Sequence, residues 1–140
     1  IRDGFYHEFL QTKDLTIPNV KKVLEELSKK YKLAIITTSR RIDFELIHKN
    51  RGITNFMDFV LCVEDYKRAK PHPDPYLKGL EKFKAKDYEA VVVEDSQRGL
   101  HSAKSANIDC IVIKNEFTAT QDFTKADFFI NNFEDLKSLL

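Results

Sequence analysis

Two kinds of hydrophobic pattern alternate along this chain. Val20, Val23, Leu24, Leu27 and Tyr31 recur at helical spacing, with Lys and Glu between them and Pro18 near the start. That spacing predicts an amphipathic helix of about three turns. Leu33-Ala34-Ile35-Ile36-Thr37 follows at once, a continuous apolar run of strand length. Residues 41–51 form a second polar-apolar segment with Phe44 and Ile47 on one face, and Gly52 sits where a left-handed helix end is wanted. Phe59-Val60-Leu61-Cys62-Val63 is the next buried run. Asp74-Pro75 then predicts a cap and first helical residue ahead of Tyr76, Leu77, Leu80 and Phe83. Ala90-Val91-Val92-Val93 and Cys110-Ile111-Val112-Ile113 are two further runs, separated by a helix over 97–106 that ends at Asn107. Asp127-Phe128-Phe129-Ile130 reads as a fifth strand, before a short terminal helix capped near Asn132.

These strands do not alternate polar and apolar residues, so neither face is left to water. Continuous apolar strands separated by single helices predict a parallel sheet covered on both sides. The class is α/β, a Rossmann-like doubly wound parallel sheet. Residues 1–14, where Phe5, Tyr6, Phe9 and Leu10 cluster, predict a separate helix outside the alternation, and residues 15–140 make the α/β unit.

At 140 residues the chain has enough material for one core. Its 42% apolar and 32% charged residues are those of a soluble globular domain, not of a disordered chain. A formal net charge of +1 argues against a general nucleic-acid or membrane-surface binder, since both need a strong basic field. No apolar run approaches the ~18 residues of a membrane span. The two cysteines, Cys62 and Cys110, both lie inside apolar runs, which points to buried thiols in a reducing compartment, with the cytoplasm as the expected location. The opening Ile1-Arg2-Asp3-Gly4 has no initiator Met and no targeting pattern, and reads like the interior of a longer protein.

Ligands of an open parallel sheet bind beyond the carboxyl ends of its strands. The first strand run ends in Thr37-Thr38-Ser39, and the third in Glu94-Asp95-Ser96, both on the same predicted edge. Hydroxyls and backbone N–H groups at a strand-to-helix turn can cradle phosphate oxygens. Adjacent carboxylates suit a hard cation such as Mg²⁺. Lys70 lies in Arg68-Ala69-Lys70-Pro71-His72-Pro73-Asp74-Pro75, where three prolines restrict the backbone and so aim the ammonium. A fixed ammonium near phosphate and carboxylates would offset their repulsion. The plain alternatives are helix capping by Thr37 and Ser39, a solvated loop at Glu94-Asp95, and one more surface lysine at Lys70. Arg40 and Arg41 either add positive potential there or are ordinary solvated charges. His72 and the other histidines have no metal-ligand spacing and read as surface or capping residues.

Taken in order, these clusters resemble the haloacid dehalogenase superfamily, in its Mg²⁺-dependent phosphatase and phosphomutase branch. Leu33-Ala34-Ile35-Ile36-Thr37 resembles the second family motif, whose terminal Thr or Ser binds the transferring phosphoryl group. Ala69-Lys70-Pro71-His72-Pro73-Asp74-Pro75-Tyr76-Leu77 resembles the third, whose Lys holds nucleophile and phosphate together. Val91-Val92-Val93-Glu94-Asp95-Ser96, with Gly99-Leu100, Ala103 and Ala106, resembles the fourth, whose acidic pair serves the metal. The resemblance implies catalytic roles for Thr37 and Lys70, phosphate contacts from Thr37, Thr38 and Lys70, and Mg²⁺ held by Asp95 and Glu94. Asn stands at position 107 where the family often has Gly, and Asn also tolerates a left-handed backbone.

The first family motif, an Asp-x-Asp strand end carrying the nucleophile, has no counterpart here. The resemblance places it upstream of Ile1, and makes residues 1–14 the last helix of a substrate-selecting cap, with 15–140 a core lacking its central first strand. Another segment or an associating chain must then fill the gap, because an open slot leaves two rows of unpaired backbone groups. The implied activity of the full-length protein is hydrolysis of a small phosphorylated metabolite through an aspartyl-phosphate, with no nucleic-acid or membrane partner. The 140 residues alone are expected to be inactive. A sugar-phosphate phosphomutase of the same superfamily and a non-catalytic binding domain are the alternatives.

Overall fold

The computed structural model describes residues 3–7, 20–49 and 52–140. Six parallel strands form one sheet: β1 (Asp3–His7), β2 (Lys32–Ile36), β3 (Phe59–Leu61), β4 (Ala90–Glu94), β5 (Asp109–Ile113) and β6 (Phe128–Ile130). Their spatial order is β3-β2-β1-β4-β5-β6, so the winding reverses between β1 and β4. Among the described residues five α-helices accompany them: α1 (Val20–Ser28), α2 (Arg41–His48), α3 (Asp74–Phe83), α4 (Gln97–Ser105) and the short α5 (Leu136–Leu139).

Alternate residues of β2, β4 and β5 feed two cores. Leu33, Ile35, Val91, Val93, Ile111 and Ile113 pack with Val23, Leu24 and Leu27 of α1, Phe44 of α2, and Leu136 of α5. Ala34, Ile36, Val92, Cys110 and Val112 face the other way, onto Tyr76, Leu80 and Phe83 of α3 and Leu100 and Ala103 of α4. With both faces covered, the buried stretches of these three strands must be apolar on both sides, and this is why their runs are continuous.

The largest difference from expectation is at the start of the chain. Residues 3–7, expected in a cap helix outside the sheet, form β1 in the central slot, paired with β2 from Asp3↔Lys32 to His7↔Ile36 and with β4 from Asp3↔Ala90 to Tyr6↔Val93. The slot expected to lack a strand is therefore filled by the chain itself. Pairing there supplies partners to β2 and β4, whose inner backbone groups would otherwise be orphaned, and that gain outweighs a local helical pattern. Residues 8–14 of the expected helix, and Pro18 before α1, lie outside the described residues.

Smaller differences have local causes. α3 begins at Asp74, and its N-cap is Pro73; the Asp74 carboxylate pairs with Arg68 at 3.1 Å instead of capping. β3 stops at Leu61, because Val63–Asp65 turn into a 3-10 helix tied down by the Asp65 carboxylate, which accepts the Cys62 N–H at 2.7 Å. His48 is buried, its ring 4.4 Å from that of Phe44, which corrects its reading as a surface or capping residue. Gly52 (φ 72°) and Asn107 (φ 62°) both adopt the left-handed backbone expected of them. Among the described residues, no helix is long and apolar enough to cross a membrane.

Candidate active site

Four apolar residues of β4 carry Glu94 into the interior at the carboxyl edge of the sheet, where it is fully buried. Burying a lone carboxylate is costly, so its partners decide whether it is tolerated. Oε2 accepts from Lys70 Nζ at 2.8 Å and from the Tyr76 hydroxyl at 2.6 Å. Oε1 accepts from the Asp95 N–H at 3.1 Å and the Ser96 hydroxyl at 3.4 Å. Ser96 also caps α4 by accepting the Gly99 N–H at 3.1 Å. Gly99 passes so close that an added Cβ would lie 1.8 Å from Glu94 Cδ and 2.0 Å from both carboxylate oxygens. Space, not backbone freedom, demands glycine there.

Lys70 is buried with Glu94, and this removes the surface-lysine alternative. Besides Glu94 it donates to the Ile36 carbonyl at 3.2 Å, so one ammonium links the ends of β2 and β4. The Tyr76 ring centroid lies 5.0 Å from Nζ and adds a cation–π contact. The proline loop is anchored twice: His72 N–H donates to the Ala69 carbonyl at 3.1 Å, and the buried Ser102 hydroxyl to the His72 carbonyl at 2.6 Å. His72 itself is exposed.

Thr37 follows β2 and is buried. Its N–H donates to the Leu61 carbonyl at 2.9 Å, and its carbonyl accepts the Tyr66 hydroxyl at 2.7 Å. Its own hydroxyl oxygen accepts the Ser39 N–H at 3.0 Å, which folds the Thr37-Thr38-Ser39 turn back on itself. Thr38 and Ser39 are half-buried in that turn. The N-cap of α2 is Arg40, so neither Thr37 nor Ser39 caps that helix. Arg40 is exposed and pairs with Asp43, while Arg41 turns to Asp65 and the Val60 carbonyl. Burial alone would raise Asp65, but the Cys62 N–H and the Arg41 guanidinium outweigh it and hold the carboxyl below its ordinary range.

Asp95 is 7% exposed and accepts from Asn115 Nδ2 at 3.1 Å. Asp95 and Glu94 are the adjacent carboxylates of this edge, and hard oxygens of this kind suit a divalent cation. Among the described residues, no group of three or more His, Cys, Asp or Glu side chains is arranged to hold a metal. A site built here would complete its coordination with water and phosphate oxygens, which is ordinary for Mg²⁺ on one or two carboxylates. Asp3, the acidic residue of β1, is in backbone register with Lys32 and Ala90 at the amino ends of their strands and therefore lies at the opposite edge. Cys62 is no ready nucleophile either, because burial pushes its thiol up to about 11.

Lys70, Glu94, Asp95 and the Thr37 turn thus share one edge of the sheet, with Lys70 and Glu94 in direct contact. Three contributors were not singled out from sequence. Tyr76 reads as helix core, Ser102 as a small polar residue of α4, and Asn115 as a loop residue after β5. For Tyr76 a signal exists, since a tyrosine at a fully buried helical position needs a partner for its hydroxyl. No comparable pattern marks Asn115.

A doubly wound sheet with a buried lysine–carboxylate pair at the carboxyl ends of its strands defines an α/β protein of the Rossmann-like class, its site at the edge where such proteins bind ligands. The sequence model of the haloacid dehalogenase-like hydrolase family matches residues 2–113. The chain belongs to that family. Pyrophosphatase PpaX of Bacillus thuringiensis (strain Al Hakam) is 30% identical over 124 residues, which are 86% of this chain and 57% of that relative. CbbY from Rhodobacter sphaeroides, solved in complex with phosphate, superposes with a TM-score of 0.77 at 27% identity, over 85% of this chain and 55% of its own. A 2-haloacid dehalogenase from Pseudomonas syringae pv. Tomato DC3000 gives a TM-score of 0.75 at 26% identity, over 92% and 54% of the two chains. This chain therefore spans little more than half the length of the relatives it matches.

Proposed function

We propose that this chain supplies the phosphate-handling half of a phosphate monoester hydrolase that acts on a small phosphorylated metabolite. The observation that carries the reading is Lys70: a buried ammonium anchored to Glu94 and to the end of β2, beside the Thr37 turn. Phosphoryl transfer needs little covalent chemistry from the protein beyond a nucleophile, and depends on positioning and charge compensation. Pyrophosphatase among the relatives, and CbbY with phosphate among the structures, support the phosphoryl class.

In the proposed reaction a carboxylate attacks the phosphorus in line, the ester oxygen leaves with a proton as the alcohol, and an acyl phosphate forms. Water then attacks that phosphorus, releasing inorganic phosphate and restoring the carboxylate. Lys70 offsets charge between nucleophile and phosphate, while the Thr37 hydroxyl and the Thr38 N–H orient phosphoryl oxygens. Asp95, with Glu94 beside it, would hold Mg²⁺, which supplies further charge neutralisation when bound. We further propose that the 140-residue chain by itself is inactive, because it has no counterpart of the family's Asp-x-Asp nucleophile motif. The buried free thiols Cys62 and Cys110 support a reducing compartment, and the cytoplasm is the proposed location.

The test is phosphate release by the full-length protein with Mg²⁺ across a panel of phosphorylated metabolites, run beside a Lys70→Ala variant. Phosphate release that depends on Lys70 is the expected result. Isomerised sugar phosphate without net phosphate release would assign a phosphomutase, and metabolite binding without turnover would assign a binding domain.

A further inference from the structure

We infer that Asn115 is a positioning residue: its amide holds one oxygen of Asp95, so that the carboxylate keeps a fixed direction at the sheet edge where a divalent cation would bind. The inference rests on the proposed role of Asp95 and adds a residue outside the motifs.

The orientation of the Asn115 amide follows from its surroundings. Its Oδ1 accepts two backbone N–H groups, from Phe117 at 2.8 Å and from Thr118 at 3.1 Å. Two donors identify that end of the amide as oxygen, so the end facing Asp95 is the NH₂, and it donates to Asp95 Oδ2 at 3.1 Å. Asn115 thus takes its own position from the loop and passes it to the carboxylate. A rotating carboxylate must lose that freedom when it meets a cation, and a partner that fixes it beforehand reduces the loss.

The loop has a second anchor that does not involve Asn115. The Gln97 N–H, at the start of α4, donates to Gln121 Oε1 at 2.7 Å, and the Asp122 N–H donates back to Gln97 Oε1 at 3.2 Å. This reciprocal clasp ties the segment to the strand-to-helix turn that carries Asp95. Because the clasp's two hydrogen bonds run between Gln97 and the Gln121–Asp122 segment, loop order and carboxylate orientation can be separated by mutation.

The experiment is Mg²⁺ binding to the full-length protein, measured by titration calorimetry without substrate. Asn115→Ala should weaken binding about 10- to 100-fold, the usual effect of losing a group that orients a metal ligand. Asn115→Ser keeps a hydroxyl that can accept the turn's N–H groups but is too short to reach Asp95, and should show the same loss. Gln121→Ala opens the clasp and should leave affinity within about twofold, the scale on which the link through Asn115 is unaffected. Asp95→Asn separates the two levels of the argument. If Asp95→Asn weakens binding while both Asn115 variants match the parent, the inference is wrong and the metal reading stands. If Asp95→Asn leaves binding unchanged, the metal reading fails, and the inference with it. Equal losses for Gln121→Ala and Asn115→Ala would assign the effect to loop order and overturn the role of Asn115.

Discussion

Alanine at position 99 sets two ordinary rules against each other. Inside a helix, Gly→Ala is normally stabilising by about 1 kcal/mol. At Gly99 the new methyl would lie 1.8 Å from Glu94 Cδ, well inside van der Waals contact. The far end of a glutamate can usually swing aside at little cost. Here it is fully buried and takes donors from Lys70, Tyr76, Asp95 and Ser96. Moving it strands the Lys70 ammonium, whose side chain is 1% exposed. Breaking a buried pair in this way costs about 3–5 kcal/mol. Leaving the Tyr76 hydroxyl without an acceptor adds about 1–3 kcal/mol. After the helical gain is subtracted, Gly99→Ala should lose roughly 3–7 kcal/mol, a large part of the ~5–15 kcal/mol that holds a domain together.

Urea unfolding of the full-length protein, followed by circular dichroism, reads this directly. With a slope of about 2 kcal/mol/M, even the lower figure moves the midpoint down by about 1.5 M. Phosphate release should fall as well, because Lys70 loses its anchor along with Glu94. A midpoint equal to or above that of the parent would refute the reasoning, since it would mean that Glu94 can leave its place without cost.

Lys70→Ala should lower kcat by about 100-fold or more in the phosphate-release assay, the scale of one preorganised charge; unchanged kcat with only a lower melting temperature would confine Lys70 to a structural role. Burial alone would raise the Asp127 carboxyl, but Lys104 at 2.7 Å and the Cys110 N–H at 2.8 Å outweigh it and hold it below its ordinary range. A carboxyl with a lowered folded pKa stabilises above its unfolded value of about 4 and loses that contribution as pH falls through the folded value, so the midpoint gap between parent and Asp127→Asn should be full at pH 7 and close toward pH 3. A gap that does not change with pH would place the effect in packing. Burial raises both thiols, Cys62 to about 11, so neither Cys62 nor Cys110 should be alkylated in the folded protein at pH 7.5, and both should be after unfolding in urea; peptide mapping by mass spectrometry distinguishes the two.

What could be read from the sequence is what two-sided burial writes into it. β2, β4 and β5 are continuous apolar runs because alternate residues enter different cores, and α1 carries its buried face at Val20, Val23, Leu24 and Leu27. Thr37, Lys70, Glu94 and Asp95 could be singled out because the residues at strand ends and in a proline-held loop are few. The strand at residues 3–7 was not legible, since its place is set by the unpaired flanks of β2 and β4 and not by any period of its own. Tyr76 and Asn115 were missed for a related reason. Their roles are relations across 18 and 20 residues to Glu94 and Asp95, and neither pattern nor propensity encodes such pairings.

The Lys70–Glu94 pair is poorly explained as a source of stability. Two apolar side chains of similar volume would fill the same space without desolvating two charges, and such replacements are often neutral or stabilising. Its geometry is better explained by what it does to the ammonium. A lysine Nζ carries three protons, and two acceptors are in place among the described residues, Glu94 Oε2 at 2.8 Å and the Ile36 carbonyl at 3.2 Å. Two fixed acceptors stop the rotation of the group, so tetrahedral geometry also fixes the direction of the third N–H. On a solvated lysine that proton would sweep a cone, and aligning it would cost side-chain entropy each time a ligand arrived. In the proposed reaction the third N–H is the one that meets the phosphoryl oxygen, and its alignment is already built into the fold. Under the proposed function the buried pair exchanges some stability for a donor that needs no reorganisation during phosphoryl transfer, and this is the condition under which a single charge has its largest effect on a transition state.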